Sequence, residues 1–287
     1  MEAVGAYGSD PDVPAPGEVR RRKRSGIAVL LVLMIVLPLA SAASDFKLLF
    51  SMGANLRVLP GYSYHYSIRV NQGNTFNPPE YGKGNDRLGQ ANIFGPDFGL
   101  GLSFKNVSLG ISYASFSGNF TGTYDLSVPS TWFYNLIAAD RISASSKFSG
   151  SSLAADLKYI VPLSRAFQVY AGAGARVLWA DLELPQNIVF MEYFYRGPDF
   201  ITWIHTLDIT DVTMTPVSFT IFGWNALAGA EFTPAPGYWI FLEGRYQTGK
   251  KDVPHPYYAH LDPTLPPVHL DFSGFALTLG VRYALDW

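Results

Sequence analysis

Five histidines, His65, His205, His255, His260 and His269, are the natural acid–base and metal-ligating groups of this 287-residue chain, and all fall in segments that read as long connections. His255 and His260 are separated by a Pro-containing stretch, so neither a strand nor a helix sets both rings on one face, and exposed loop histidines are the expectation. The chain has no cysteine, which removes disulfides, thiol nucleophiles and Cys-ligated metals together. No Ser/His pair falls on adjacent outward strand positions, as a surface hydrolase would need. Glu231 and Glu243 could form a carboxylate pair, but general acid work needs one member's pKa raised, and the arginines nearby act in the opposite direction. Gly172 and Gly174 alternate within a strand and no helix follows, so they are not a nucleotide loop. We therefore expect no catalytic residue, no metal and no cofactor, and do not read the chain as an enzyme.

The remaining chemistry lies in charges on otherwise small, polar faces: Arg57, Asp156, Lys158, Arg176, Glu231, Glu243, Arg245 and Arg282. If these faces turn into a narrow lumen, unpaired charges there are costly and must pair or hydrate. Two readings stay open. One is a structural salt-bridge network that plugs a small barrel; the other is a polar gate or binding site, for which Glu231, Glu243 and Arg245 are the best candidates.

The elements that would position these residues are strands. From Phe275 to Trp287 every odd position is apolar or aromatic, and the even positions are Ala276, Thr278, Gly280, Arg282, Ala284 and Asp286. A period of two sustained over such a length needs an extended strand. The same alternation marks Lys47 to Leu59, Asp97 to Phe104, Val107 to Ala114, Ser152 to Val161, Phe167 to Trp179, Phe222 to Phe232 and Tyr238 to Thr248. Eight strands is the smallest size typical of outer-membrane barrels. Short connections lie near 105–106, 162–165 and 234–237, and long ones near 60–96, 117–148, 181–218 and 249–272. Long connections first and last are what an even-stranded barrel with both termini in the periplasm requires. The fold class is thus all-β: an eight-stranded, antiparallel, up-and-down transmembrane barrel.

A soluble barrel or sandwich is the competing architecture, and its polar faces should be rich in Lys and Glu. Here they carry Gly, Ala, Ser and Asn with isolated charges, and the apolar faces are uncharged across their middles, as a bilayer demands. Aromatics gather at strand ends. Phe104, Tyr159, Phe167, Phe232, Tyr238 and Trp287 mark the short-turn side, and Tyr113, Trp179, Trp224, Tyr246 and Phe275 the loop side, as two interfacial girdles would. Charged residues and aromatics are each 15% of the chain, and the net charge of −2 does not suggest nucleic acid as a partner.

Arg20 to Arg24 precede an apolar run from Ile27 to Leu39 and then Ala40-Ser41-Ala42, the layout of a secretory signal peptide over 20–42. Residues 1–19 read as a mis-called extension, and 43–287 as the barrel. The 181–218 connection is unusually apolar, and Phe194, Phe200, Ile201 and Trp203 are candidates for a ligand entry. For Ile188 to Tyr195, strands that extend above the membrane and pack on each other are an equal alternative.

The final strand, with Tyr283, Leu285 and a terminal Trp287, resembles the C-terminal sorting signal of bacterial outer-membrane barrels, which implies recognition by the barrel-assembly machinery. Phe167-Gln-Val-Tyr-Ala-Gly-Ala-Gly-Ala175, Gly223-Trp-Asn-Ala-Leu-Ala-Gly-Ala-Glu231 with the Pro/Gly turn and Tyr238 strand after it, and Gly280-Val-Arg-Tyr283 are similar to the OmpW family of small barrels, within the OmpA-like eight-stranded group. The barrel reading gives a monomer surrounded by outer-membrane lipid, and the resemblance implies a passive channel that admits small, often apolar, solutes through a hydrophobic upper lumen and a lateral opening. The alternative is a surface-exposed structural or adhesin-type barrel that binds partners through its long loops.

Overall fold

A computed structural model of the protein describes residues 46–71, 80–129, 136–198, 203–254 and 267–286. The segments assigned to the extension and the signal peptide lie outside the described residues, as does Trp287. In chain order the strands are β1 (Phe46–Leu59), β2 (Tyr62–Asn71), β3 (Glu80–Leu88), β4 (Ala91–Phe104), β5 (Val107–Pro129), β6 (Ile137–Pro162), β7 (Phe167–Arg196), β8 (Trp203–Ala235), β9 (Tyr238–Gln247), β10 (Lys250–Val253), β11 (Val268–Asp271) and β12 (Gly274–Asp286).

Eight of them close a ring. The order β4-β1-β12-β9-β8-β7-β6 is completed by β5, which pairs with both β4 and β6, and every pairing is antiparallel. β1 runs against β12 from Lys47↔Asp286 to Val58↔Phe275, so the wall leaves no free edge between them. The short connections are tight. Lys105 takes the left-handed conformation (φ 51°) in the β4–β5 turn, and Gly237 does so (φ 79°) in the β8–β9 turn.

The eight strands match the alternating segments of the sequence, but the long connections are mostly strand, and the expectation of loops there is corrected. β7 and β8 are 30 and 33 residues long, where a tilted spanning strand needs about 9–11. They remain register partners from Phe167↔Phe232 up to Arg196↔Trp203, with bulges near Pro185 and Val189. β5 and β6 pair likewise from Val107↔Tyr159 to Pro129↔Ile137. The hairpin β2–β3 leans on the upper part of β5 through Lys83↔Ser127 to Leu88↔Gly122, and β10–β11 forms a separate two-stranded ribbon.

The apolar face changes sides along these strands. In lower β5, Val107, Leu109 and Tyr113 are exposed on the outside; in upper β5, Phe116, Phe120, Tyr124, Leu126 and Val128 are buried inside. β7 does the same between outward Trp179 and inward Leu182 and Leu184, and β8 between inward Phe219 and Ile221 and outward Phe222 and Trp224. Below the inversion the strands meet an apolar solvent. Above it they enclose an ordinary core, and that core holds Leu59, Ile93, Phe116, Phe148, Leu178, Ile221 and Phe272 among others.

Candidate functional site

All eight charged residues picked out on the polar faces point into the barrel. Arg57, Asp156, Arg176, Glu231, Glu243, Arg245 and Arg282 are buried, and the Lys158 side chain is 11% exposed. Strand alternation puts them there, and register brings them together: Asp156 lies opposite Gly174, Lys158 opposite Gly172, and Gly229 opposite Glu243. The small residues across the ladder make room for the long side chains. Tyr170 lies over Gly229 and the Phe241 ring over Gly280; a Cβ at either glycine would sit 2.5 and 2.7 Å from those rings.

Glu243 is the hub. Its carboxylate accepts from Lys158 Nζ at 2.5 Å, from the Tyr170 hydroxyl at 3.0 Å and from Arg245 Nη2 at 2.7 Å. The same Arg245 nitrogen reaches Asp156 at 2.8 Å, and Arg245 Nη1 lies 3.5 Å from the Ser112 hydroxyl. Glu231 pairs with Arg282 and accepts from Gln168 Nε2 at 2.6 Å. The expected cluster of Glu231, Glu243 and Arg245 therefore divides in two: Arg245 serves Glu243 and Asp156, while Glu231 belongs to Arg282. Arg176 Nη1 donates to the side-chain amide oxygen Oε1 of Gln247, and the Arg57 guanidinium lies 4.3 Å from the centre of the Phe116 ring.

Sequence reasoning missed several members. Asp97, half-buried, acts electrostatically on Arg57, Arg245 and Arg282, while Gln168, Tyr170 and Gln247 bond directly to the charges. Each sits on the lumen side of its strand, so parity alone could have found them. A lumen cavity of about 40 Å³ beside Asp156, Lys158 and Arg282 is room for no more than a few waters.

Directly above the charges lies the aromatic cluster. Phe148 is stacked on Phe116 (ring centroids 5.7 Å) and on Phe272 (5.5 Å), meets Phe120 edge-on, and is fully buried. The lumen is therefore closed twice, by paired charge below and by packed rings above.

The ligand-entry set is not assembled as expected. Phe194 stacks on His205 at 4.4 Å, and His205 Nε2 lies 3.0 Å from Glu192 Oε2, near the far end of the β7–β8 pair. Phe200 and Ile201 lie outside the described residues, and of Trp203 only the backbone, opposite Arg196, is described. The apolar residues of 181–218 that do meet are Leu182, Leu184, Ile188, Leu207, Ile209 and Phe219, all part of the upper core. The alternative of strands extending and packing is the one observed. The histidines depart in part from the exposed-loop expectation: His65 and His269 are exposed but sit in strands, His205 sits in a strand and is buried, and His255 and His260 lie outside the described residues. Among the described residues no group of three or more His, Asp or Glu could hold a metal ion.

On the outside of the ring, Phe50, Met52, Phe98, Leu109, Leu157, Phe222, Leu242, Leu277 and Leu279 are exposed, while carboxylates and arginines are sealed within. Aromatics rim this band in contact with each other, Trp224–Tyr246–Phe275 above and Tyr238–Tyr283 and Phe46–Phe104 below. From Tyr238 to Tyr246 the tilted strand rises about 20 Å, close to the height of a lipid-facing belt. Water could not solvate this surface, and lipid requires the closed backbone ladder that the ring provides. The chain folds as a small outer-membrane β-barrel. Of the sorting-signal residues, Tyr283 and Leu285 face outward on β12.

No family model matches the chain, and no curated protein matches it. Solved structures with a similar chain path include Neisserial surface protein A, 13% identical, TM-score 0.42, over 84% of this chain and 97% of that one. OprG from Pseudomonas aeruginosa is 11% identical with a TM-score of 0.42 over 85% and 98%. Ail of Yersinia pestis, solved with the heparin analogue sucrose octasulfate, is 14% identical with a TM-score of 0.38 over 84% and 99%.

Proposed function

We propose that the protein is a narrow passive channel of the outer membrane for small apolar molecules. The observation that carries this reading is the order of layers inside the barrel: an apolar upper interior stands over a lumen whose charges are largely neutralised in pairs. An apolar solute entering from outside exchanges water for ring and aliphatic surface, which is favourable by about 25 cal/mol per Å². An ion gains nothing there and meets a network with little room for water. An eight-stranded ring is just wide enough for side chains to fill, so transit requires those side chains to move aside.

The test is uptake of N-phenylnaphthylamine, an apolar fluorophore excluded by intact lipopolysaccharide, by cells bearing the protein, alongside ion conductance in planar bilayers. Faster dye entry with no steady ion current is expected. Dye entry equal to that of cells lacking the protein would overturn the channel reading.

A second reading, a surface-binding barrel, has its own observation in the strands above the belt. Val189, Met191, Tyr193 and Tyr195 form an exposed stripe on upper β7, and an open cleft of about 590 Å³ on the upper sheet is lined by His65, Lys83, Asn85, Asp125, Asp140 and Arg141. A partner captured through this stripe would place function outside the lumen.

A further inference from the structure

We propose that the boundary between the charged lumen and the aromatic cluster is a binding site for a small amphipathic monocarboxylate, held by Arg57 and Arg176. The inference names a substrate class for the channel and rests on that reading for its transport role. Three nitrogens of Arg57 and two of Arg176 are buried without any hydrogen-bond partner, as are both ends of the Asn225 amide. Arg57 is 2% exposed and Arg176 3%. Buried guanidinium groups are normally paired, because a charge taken out of water without a partner forfeits its solvation and gains nothing in return.

The protein's own carboxylates do not meet that need. Glu243 is committed to Arg245 and Lys158, Glu231 to Arg282, and Asp156 through Oδ2 to Arg245, its Oδ1 buried without a partner and bonded to neither Arg57 nor Arg176. Asp97 acts on Arg57 only at longer range and does not bond to it. Five lumen cations (Arg57, Lys158, Arg176, Arg245, Arg282) thus face four carboxylates at their own level (Asp97, Asp156, Glu231, Glu243), while the further buried carboxylate, Asp86, lies higher on β3 and accepts from the Tyr66 hydroxyl. Arg176 and Arg245 both add positive potential at Arg57, so an anion beside the unbonded Arg57 and Arg176 guanidinium groups is favoured. Two guanidinium forks suit the planar oxygens of a carboxylate.

What lies above them fixes the rest of the ligand. Arg57 is two residues from Leu59 and opposite Ile93; Arg176 is two residues from Leu178, and its neighbour strand presents Ile221; Phe116 covers the Arg57 guanidinium. A carboxylate attached to an aromatic ring or short alkyl chain would satisfy both surfaces, head down and apolar body up, provided the Phe116 and Phe148 rings that fill this space swing aside to admit it.

The experiment uses the full barrel in dodecylmaltoside micelles at constant ionic strength, titrated with sodium benzoate, benzamide or sodium acetate and followed by thermal unfolding. Benzoate should raise the unfolding temperature in a saturable way, while benzamide, of the same shape without charge, and acetate, without the ring, should bind at least about tenfold more weakly. Arg57→Met and Arg176→Met should each weaken benzoate about tenfold, with Arg57→Lys intermediate; the ligand-free Arg57→Met protein should be more stable than the parent, since an unpaired buried charge is gone. Arg141→Met, on the outer face of the upper sheet, is the control. Equal binding of benzoate and benzamide, equal binding of benzoate and acetate, or unchanged benzoate binding in both Met variants would overturn the proposal. Arginine-dependent benzoate binding without N-phenylnaphthylamine uptake would uphold the site and overturn the channel; dye uptake without benzoate preference would do the reverse.

Discussion

At the scale of single residues, Glu243 does the most to keep the lumen shut, because three donors on three strands converge on one carboxylate. Glu243→Gln leaves Lys158 and Arg245 short of charge in a buried setting, a loss of about 3–5 kcal/mol by analogy with broken buried pairs. Denaturant titration in micelles should show that loss, and planar-bilayer recordings should show ion conductance absent from the parent. Phe148 plays the matching part above. Truncating it to Ala removes the ring that joins Phe116, Phe120 and Phe272, at a cost of about 3–5 kcal/mol, and opens a void in the apolar path. Entry of N-phenylnaphthylamine should rise in this variant while ion conductance stays at the parent level. If dye entry falls instead, the ring guides solutes rather than blocking them. The lumen charges were legible because period two assigns a side to each residue. Their partners were not: the sequence puts Glu231 one short turn from Glu243 and Arg245 on the adjacent strand, but only the side-chain contacts across the closed lumen show that Glu231 meets Arg282, beyond β9 on β12, while Arg245 also takes Asp156.

At the scale of elements, the eight ring strands were legible and their upper halves were not, for a physical reason. In β5 the outward apolar positions are odd up to Tyr113, and the inward apolar positions are even from Phe116 onward. A single apolar face followed along the chain is lost at that inversion, although alternation continues as Phe120, Tyr124, Leu126 and Val128 against Asn119, Thr121, Thr123 and Asp125. What looks like the end of a strand is its exit from lipid. Because Leu184 and Thr215 are register partners, residues 185–214 can be replaced by an Asn-Gly turn with the lower ladder intact. The shortened protein should still insert and fold. If function lies in the exposed stripe of upper β7, any cell adhesion the parent shows should be lost; if it lies in the lumen, dye entry should persist.

At the scale of the whole molecule, the arrangement is a soluble β-protein's core stacked on a membrane barrel and sharing its strands. The two parts are not separable domains, since β5, β6, β7 and β8 run through both. Far-ultraviolet circular dichroism of the purified protein should be strand-dominated, and unboiled samples should migrate differently from boiled ones on gels, because the closed ladder resists detergent until heated. A helical spectrum would contradict the architecture. Heat stability should also depend on the upper core, so Phe148→Ala should lower the temperature at which the boiled-type band appears.

The β1–β12 seam has a kinetic meaning. Lys47 and Asp286 are register partners although nearly the whole described chain lies between them, and the same is true of each pair up to Val58 and Phe275. Ring closure is therefore the most non-local event in the folding of this chain, and its loop entropy must be met before the last ladder returns any free energy. Until that seam zips, β1 and β12 each present an unpaired edge, the wall is an open ribbon, and the lumen pairs of Arg282 on β12 with Glu231 on β8 have no fixed partner distance. Folding into micelles should then be slow and limited by the terminal strands. Substitutions that weaken the seam, such as Gly53→Val against the Leu279 carbonyl, should slow the appearance of the compact gel band far more than substitutions at the β7–β8 tip.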